Sequence, residues 1–217
     1  MTDQNFTAMR RAMVESQLRT NDVNDPALLT AILAVPRETF LPAERRSAAY
    51  IDRPVPLADG RALNPPLATA RLLVEAQPCA GETALLVGAA TGYAAALLAR
   101  LGCTVVALEE DAALATQARK ALAGTDGVTV ETGPLAQGHA KRAPYDLIVI
   151  DGAVEIVPDA LIEQLKIGGR AVFARLDRGV TRLCAGVRSA GGFGARTFAD
   201  SEAVVLPGFA APRGFTF

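Results

Sequence analysis

The sequence predicts a single α/β domain in which helices cover both faces of a largely parallel sheet. From residue 67 onwards, short apolar and β-branched runs alternate with helix-like segments, a pattern typical of buried parallel strands. A glycine-rich turn follows the first of these strands, and an acidic residue ends the second. With 217 residues, half of them apolar, the chain is long enough for one such domain and a short appendage, but not for two independent domains.

The chain divides into three segments within this one domain. Residues 1–49 form an N-terminal helical segment, because apolar residues recur at spacings of three and four between Thr7 and Leu41. Asp25 followed by Pro26 is typical of a helix N-terminus. Residues 50–66 are dense in proline, which predicts an ordered loop or linker without regular structure. Residues 67–217 form the core.

Within the core, the apolar runs set the expected order of elements. We expect helices at residues 67–76, 92–101, 111–122 and 158–166, and strands at residues 83–87, 104–108, 128–131, 146–150 and 170–174. Two further segments, residues 181–187 and 203–206, are expected to pair antiparallel at one edge of the sheet. The glycine-rich residues 189–196 would separate them.

Charge and cysteine content exclude several classes of protein. The 22 basic and 23 acidic residues nearly cancel and form no long basic run, so we expect no nucleic-acid partner. No signal peptide or membrane span is apparent, which favours a cytoplasmic protein. The three cysteines, Cys79, Cys103 and Cys184, include no CxxC pair. We therefore expect reduced core thiols and no metal site.

The turn after the first core strand carries the candidate cofactor-binding residues. Glycine allows the backbone to pass close beneath a nucleoside, and a carboxylate at the end of the second strand can accept hydrogen bonds from both ribose hydroxyls. The carboxylate is Glu109, about twenty residues beyond the turn. A tight strand-to-helix turn without a ligand is the alternative. The candidate residues of the turn are Gly88, Ala89, Ala90, Gly92 and Tyr93.

The spacing of the glycines favours one nucleoside cofactor over another. A dinucleotide requires glycines spaced G-x-G-x-x-G, so that its pyrophosphate can reach the helix N-terminus. The chain reads G-A-A-T-G at residues 88–92, with Ala90 in the middle. S-adenosylmethionine (AdoMet) carries no phosphate and suits this tighter turn better. An NAD site is therefore the second choice.

Several segments resemble the protein-L-isoaspartate O-methyltransferase family. The resemblance covers most of the chain in the family's order. Its segments are MVESQL at residues 13–18, VPRETFLP at 35–42, YIDRPVPL at 50–57, the turn ending in TGY at 91–93, APYDLIVIDGA at 143–153 and VPDALIEQLKIGGR at 157–170. This resemblance implies a Rossmann-like AdoMet-dependent methyltransferase fold, with a mixed seven-stranded sheet and N-terminal helices.

The resemblance also implies a reaction: methyl transfer from AdoMet to the carboxylate of isoaspartyl residues, a repair of damaged proteins. Such a carboxylate has a reference pKa near 4, so it is already a nucleophile at neutral pH and needs no general base. Asn64, in the substrate loop, and Asp151, at the end of the fourth strand, are the candidate catalytic residues. Leu135, which follows the third strand, is a further candidate for cofactor binding.

The chain departs from the family's pattern at several site positions. Leu86 replaces a glutamate, Ala90 the central glycine of the turn, and Pro134 an aspartate near the adenine. The loop at residues 62–66 lacks the family's two hydroxyls, and residues 204–207 lack an arginine. Each lost charge-assisted bond weakens binding by about 1.5–3 kcal/mol. We therefore expect low activity toward isoaspartyl peptides.

Three functions remain open on the sequence alone. The first is an isoaspartyl methyltransferase. The second is a methyltransferase for a different acceptor, such as a small molecule, which the carboxylate of Asp151 favours because it would repel an anionic acceptor. The third is a non-catalytic protein that binds AdoMet or its product at a degenerate site.

Overall fold

The computed structural model describes residues 5–57 and 60–211 of the chain. The N-terminal segment begins with helix α1, Phe6–Met13, which continues into a π-helical turn, Val14–Leu18. Helix α2, Pro26–Ala34, follows. The side chain of Asp25 caps α2 by accepting a hydrogen bond from the Leu28 amide at 2.7 Å, and Pro26 occupies its first turn, which confirms the predicted helix start.

The proline-rich loop contains more regular structure than its composition predicted. Strands β1, Val55–Pro56, and β2, Ala62–Leu63, form a short antiparallel pair, so the expectation of no regular structure was wrong. The prolines are tolerated because the pair is only two residues long and lies apart from the main sheet. Helix α3, Pro66–Ala76, begins where the loop ends and holds the C-terminal end of the loop in place.

The core follows the predicted alternation closely as far as its fourth strand. The elements are β3 Thr83–Val87, α4 Tyr93–Arg100, β4 Thr104–Glu109, α5 Ala112–Ala121, β5 Val128–Thr132 and β6 Tyr145–Val154. Helix α6, Asp159–Ile162, and strands β7 Leu165–Asp177, β8 Val180–Ser189 and β9 Gly192–Asp200 complete the sheet. The strand order is β5-β4-β3-β6-β7-β8-β9. The first five strands in this order are parallel, and β8 runs antiparallel to both of its neighbours, β7 and β9. The predicted mixed seven-stranded sheet is therefore confirmed.

Two predicted elements after β6 were wrong. The helix expected at residues 158–166 is the single short helix α6, because Leu165 already pairs with Tyr145 of β6 and starts β7. The expected pairing of residues 203–206 with residues 181–187 is also wrong, because β9 takes that place beside β8. Ser189 pairs with Gly192 across a two-residue turn, so the glycine-rich segment is a hairpin and not a spacer.

The segment after β9 packs across the carboxyl end of β6 instead. Val205 forms a parallel bridge with Ala153, and the Ala153 amide donates to the Val204 carbonyl at 2.6 Å. Gly152 permits this approach, since a Cβ there would lie 2.7 Å from the same carbonyl oxygen. The C-terminal segment therefore borders the edge of the sheet at which the parallel strands end.

Apolar side chains fill both faces of the sheet. One cluster joins the N-terminal helices, α3 and α4 to the sheet, and the second packs beneath α6 and the C-terminal segment. Cys103 and Cys184 lie in these clusters, whereas Cys79 is exposed, which corrects the expectation that all three are core thiols. Among the described residues, every helix is too short or too polar to span a lipid bilayer.

Candidate active site

The glycine-rich turn connects β3 to α4, at the carboxyl end of the central strand. The Gly88 and Ala89 amides both donate to the Leu108 carbonyl at 3.0 Å, which ties the turn to the end of β4. Gly88, at φ 79°, and Gly92, at φ 102°, adopt the left-handed backbone that favours glycine. Ala90 adopts it as well, at φ 48°. The turn therefore keeps a glycine-like path even where the glycine is missing.

Glu109 ends β4 directly beside this turn, as the sequence predicted. Its carboxylate is fully buried. Oε2 accepts a hydrogen bond from the Ala90 amide at 2.7 Å, and Oε1 accepts from the Glu110 and Asp111 amides at 2.9 and 3.0 Å. Three backbone donors thus hold the carboxylate in one orientation at the mouth of the turn.

Arg61 completes the hydrogen bonding of Glu109, which the sequence did not predict. Its Nη1 donates to Oε1 and its Nη2 donates to Oε2 at 3.0 Å, so the guanidinium grips both oxygens. Both side chains are buried. Bidentate arginine–carboxylate pairs of this kind combine the attraction of opposite charges with a fixed geometry. Arg61 therefore binds both carboxylate oxygens, which were predicted to accept hydrogen bonds from the ribose hydroxyls.

Asp151 and Asn64 lie together near the carboxyl end of the parallel strands. Asn64 Nδ2 donates to Asp151 Oδ1 at 3.0 Å, and Thr69 Oγ1 donates to the same oxygen at 2.8 Å. Asp151 lies in a bulge of β6. Between the regular pairs Val149–Val172 and Ala153–Ala174, β6 has three residues, 150–152, whereas β7 has only Phe173. Such bulges commonly re-aim side chains near active sites. The strand does not end at Asp151, as the sequence suggested, but continues to Val154.

The surroundings of Asp151 oppose its ionisation. Burial raises the pKa of this carboxyl above its ordinary value, although the bonds from Thr69 and Asn64 and the nearby charges of Arg37 and Arg61 act in the other direction. Desolvation is the largest of these effects. Burial therefore favours the protonated form of Asp151 more than an exposed position would.

Asn64 is buried, and both polar atoms of its side chain form hydrogen bonds. Its Oδ1 accepts from the Val204 amide at 3.0 Å, and its backbone carbonyl accepts from Arg37 Nη2 at 2.6 Å. The side chain therefore joins the proline-rich loop, the bulge of β6 and the C-terminal segment. This places Asn64 against the sheet edge, where the sequence predicted it, and well away from solvent.

Arg37 is a second guanidinium that sequence reasoning missed. It is fully buried, donates from Nε to the Ala49 carbonyl at 2.8 Å and lies 4.7 Å from the centre of the Tyr93 ring. Burial lowers the pKa of Arg37, and the charges of neighbouring acidic groups partly offset this. Its position in the segment VPRETF is the only signal in the sequence that could have singled it out.

The side chains of Tyr93 and Leu135 pack against other parts of the protein. The Tyr93 ring packs edge-on against Phe40, with ring centres 5.7 Å apart, and so contacts the N-terminal segment. Thr91 Oγ1 donates to the Phe40 carbonyl at 2.6 Å and fastens the turn to the same segment. Leu135 is buried in the apolar cluster that contains Val87. Cofactor contacts by Tyr93 and Leu135 remain predictions.

The described residues offer no metal centre: within 5–57 and 60–211, no three His, Cys, Asp or Glu side chains are grouped so that they could hold an ion. The polar groups of the site in the described residues are the buried carboxylate of Glu109, the partly exposed carboxyl of Asp151 and the buried guanidiniums of Arg37 and Arg61.

Comparison with known proteins assigns the chain to a family. The profile of the protein-L-isoaspartate(D-aspartate) O-methyltransferase (PCMT) family matches residues 8–179. The chain belongs to this family. Protein-L-isoaspartate O-methyltransferase 1 of Rhodopseudomonas palustris is 41% identical over 169 residues, which are 77% of this chain and 69% of that protein. The enzyme of Methylorubrum populi is 41% identical over 173 residues, 79% of this chain and 80% of its own length.

Solved structures agree at the level of the fold. A protein-L-isoaspartate O-methyltransferase structure matches with a TM-score of 0.81 at 22% identity, over 94% of this chain and 66% of that one. A Plasmodium falciparum protein, described as a putative protein-L-isoaspartate O-methyltransferase in complex with S-adenosyl-L-homocysteine, matches with a TM-score of 0.79 at 17% identity. That match covers 94% of this chain and 99% of that one. The predicted Rossmann-like methyltransferase fold is therefore confirmed.

Proposed function

We propose that this chain is an AdoMet-dependent O-methyltransferase that methylates isoaspartyl carboxylates of damaged proteins. Membership of the family supports this function over the two alternatives left open by the sequence. The observation that carries the proposal is the position of Glu109, whose buried carboxylate lies 2.7 Å from the Ala90 amide at the mouth of the turn.

The backbone of the turn and the carboxylate of Glu109 support the binding of a nucleoside. Ala90 retains the left-handed backbone despite its side chain, so the replacement of the family's central glycine leaves the path of the turn intact. Glu109 supplies a carboxylate that can accept two ribose hydroxyls once the bonds from Arg61 are broken. We propose that Gly88, Ala89, Ala90, Gly92, Tyr93, Glu109 and Leu135 hold the cofactor. When bound there, AdoMet supplies the methyl group.

On the acceptor side, we propose that residues 50–66 form the substrate loop and that Asn64 and Asp151 line it. Asn64 holds Asp151 in place, and the raised pKa of Asp151 reduces the repulsion that an anionic acceptor would otherwise meet. An ionised carboxylate needs no general base, so the task of the protein is alignment. The three segments, residues 1–49, 50–66 and 67–217, would act as one domain. We also propose a cytoplasmic location, which the odd number of widely spaced cysteines supports.

The test is transfer of labelled methyl from AdoMet to an isoaspartyl peptide, with the aspartyl peptide of the same sequence as control. We expect labelling of the isoaspartyl peptide only. The turnover should lie below about 1 per second, the lower end of ordinary enzyme rates, because the loop hydroxyls and the C-terminal arginine of the family are missing. Equal labelling of both peptides, or of neither, would contradict the proposed function.

A further inference from the structure

Arg61 is the only member of the Glu109 cluster that can be displaced by a side-chain movement. The other donors to the carboxylate are the backbone amides of Ala90, Glu110 and Asp111, which the turn and the start of α5 hold in place. A carboxylate offers about four acceptor positions, and with Arg61 bound Glu109 receives five hydrogen bonds. Glu109 therefore has no room for a ribose diol while Arg61 is paired with it.

Releasing Arg61 from Glu109 would free a positive charge near Asp151, beside the proposed acceptor side of the site. Arg61 lies three residues before Asn64, whose side chain binds Asp151. Glu109 would keep its three backbone donors, whereas the guanidinium would lose the carboxylate with which it forms an ion pair in the described part of the chain. A buried charge without a partner is costly, so a new anion would be bound strongly.

Two other polar groups near the acceptor side, Arg37 and Asn64, are held in place by their neighbours. Arg37 is fixed by the Ala49 and Asn64 carbonyls and by the Tyr93 ring. The side chain of Asn64 bridges Asp151 and the Val204 amide. Val204 and its neighbours carry no arginine. Within the described part of the chain, Arg37 Nη1 and Arg61 Nε both lack a hydrogen-bond partner. Arg61 differs from Arg37 because its carboxylate partner, Glu109, is the proposed ribose anchor, so cofactor binding would release it.

We propose that Arg61 binds the carboxylate of the methyl acceptor, and that it does so only after the cofactor ribose has replaced it on Glu109. This inference rests on the proposed function, since it takes Glu109 as the ribose anchor. It makes Arg61 a specificity-determining residue for an anionic acceptor. It also couples the two sites: cofactor binding strengthens acceptor binding, and the acceptor strengthens cofactor binding by the same factor.

The test measures binding of a fluorescently labelled isoaspartyl peptide to the full chain by anisotropy, with and without saturating S-adenosylhomocysteine. In the unmodified protein, S-adenosylhomocysteine should tighten peptide binding at least about fivefold, the lower end of ordinary coupling. Arg61→Gln should abolish this coupling and weaken peptide binding about tenfold in the presence of S-adenosylhomocysteine. By calorimetry, the same variant should bind S-adenosylhomocysteine more tightly than the unmodified protein, since its competitor is gone.

Arg100→Gln is the matched control, because Arg100 is exposed at the carboxyl end of α4, outside the proposed site. It should behave like the unmodified protein. Arg61→Lys keeps the charge and serves as the second variant should Arg61→Gln fold poorly; it should retain coupling in part. If Arg61→Gln keeps full coupling, or binds S-adenosylhomocysteine no more tightly, this inference is overturned while the proposed function stands. If neither the unmodified protein nor any variant binds S-adenosylhomocysteine, both are overturned.

Discussion

Arg61 and Glu109 form a buried ion pair in which one guanidinium contacts both carboxylate oxygens. The pair joins the proline-rich loop to the end of β4, across 48 residues of sequence. Without it, either charge would be left in an apolar interior at high cost. The ion pair therefore holds Arg61 beside the glycine-rich turn, and under the proposed function the cofactor would have to break it to reach Glu109.

The backbone conformation of Ala90 predicts that substitution by glycine stabilises the protein. Because Ala90 has a left-handed backbone, Ala90→Gly should relieve strain and raise the free energy of unfolding by about 1 kcal/mol. Ala89→Gly, at a residue that does not have a positive φ, should instead lower it by about 0.5–1 kcal/mol. Urea unfolding of both variants checks this, and a loss of stability in both would show that Ala90 is not strained.

The environment of Asp151 predicts a pH dependence of stability. Since the pKa of Asp151 is raised in the folded state, the folded protein binds a proton more readily than the unfolded chain does. The free energy of unfolding therefore falls as the pH rises from the pKa of the unfolded state, near 4, through the pKa of the folded state. Asp151→Asn removes this loss while keeping an oxygen that can accept from Thr69. The stability of the variant relative to the unmodified protein should therefore increase between pH 4 and pH 7. Thermal melts across that range would contradict the account if the difference were constant.

A buried network in the N-terminal segment predicts a large effect on the free energy of unfolding. Arg10 Nε donates to the Tyr50 hydroxyl at 2.7 Å and Nη2 donates to Glu38 at 3.1 Å, and the Tyr50 hydroxyl also donates to Glu38. Arg10→Met should lower the free energy of unfolding by about 3–5 kcal/mol, because it leaves Glu38 buried without its counter-ion. Arg11→Met, at an exposed neighbour, should change it little. Equal effects in chemical denaturation would show that the network adds nothing.

Local patterns were sufficient to predict much of the fold and part of the site. The bounds of β3 follow directly from the apolar run at residues 83–87, and Glu109 follows from the length of the next strand. Asn64 and Asp151 were both predicted on the acceptor side, and they are in contact. Their catalytic roles remain predictions.

What the sequence could not predict depends on contacts between distant segments. The pairing of Arg61 with Glu109 depends on the path of the loop, which no local pattern specifies. Thr69 lies on α3 and reaches Asp151 only because that helix packs beside β6. Strand β9 was missed because its glycines and polar residues resemble a linker, and pairing with β8 overrides that composition.

The claim at the centre of this account is that Glu109 anchors the ribose of the cofactor, and calorimetric titration with S-adenosylhomocysteine tests it most directly. Glu109→Gln should weaken binding about tenfold or more, because bonds to a charged acceptor contribute about 1.5–3 kcal/mol. Glu110→Gln makes the same chemical change at the exposed next residue and should leave binding unchanged. Thermal melts of both variants establish that each is folded at the temperature of the titration. A dissociation constant for folded Glu109→Gln equal to that of the unmodified protein would contradict the claim.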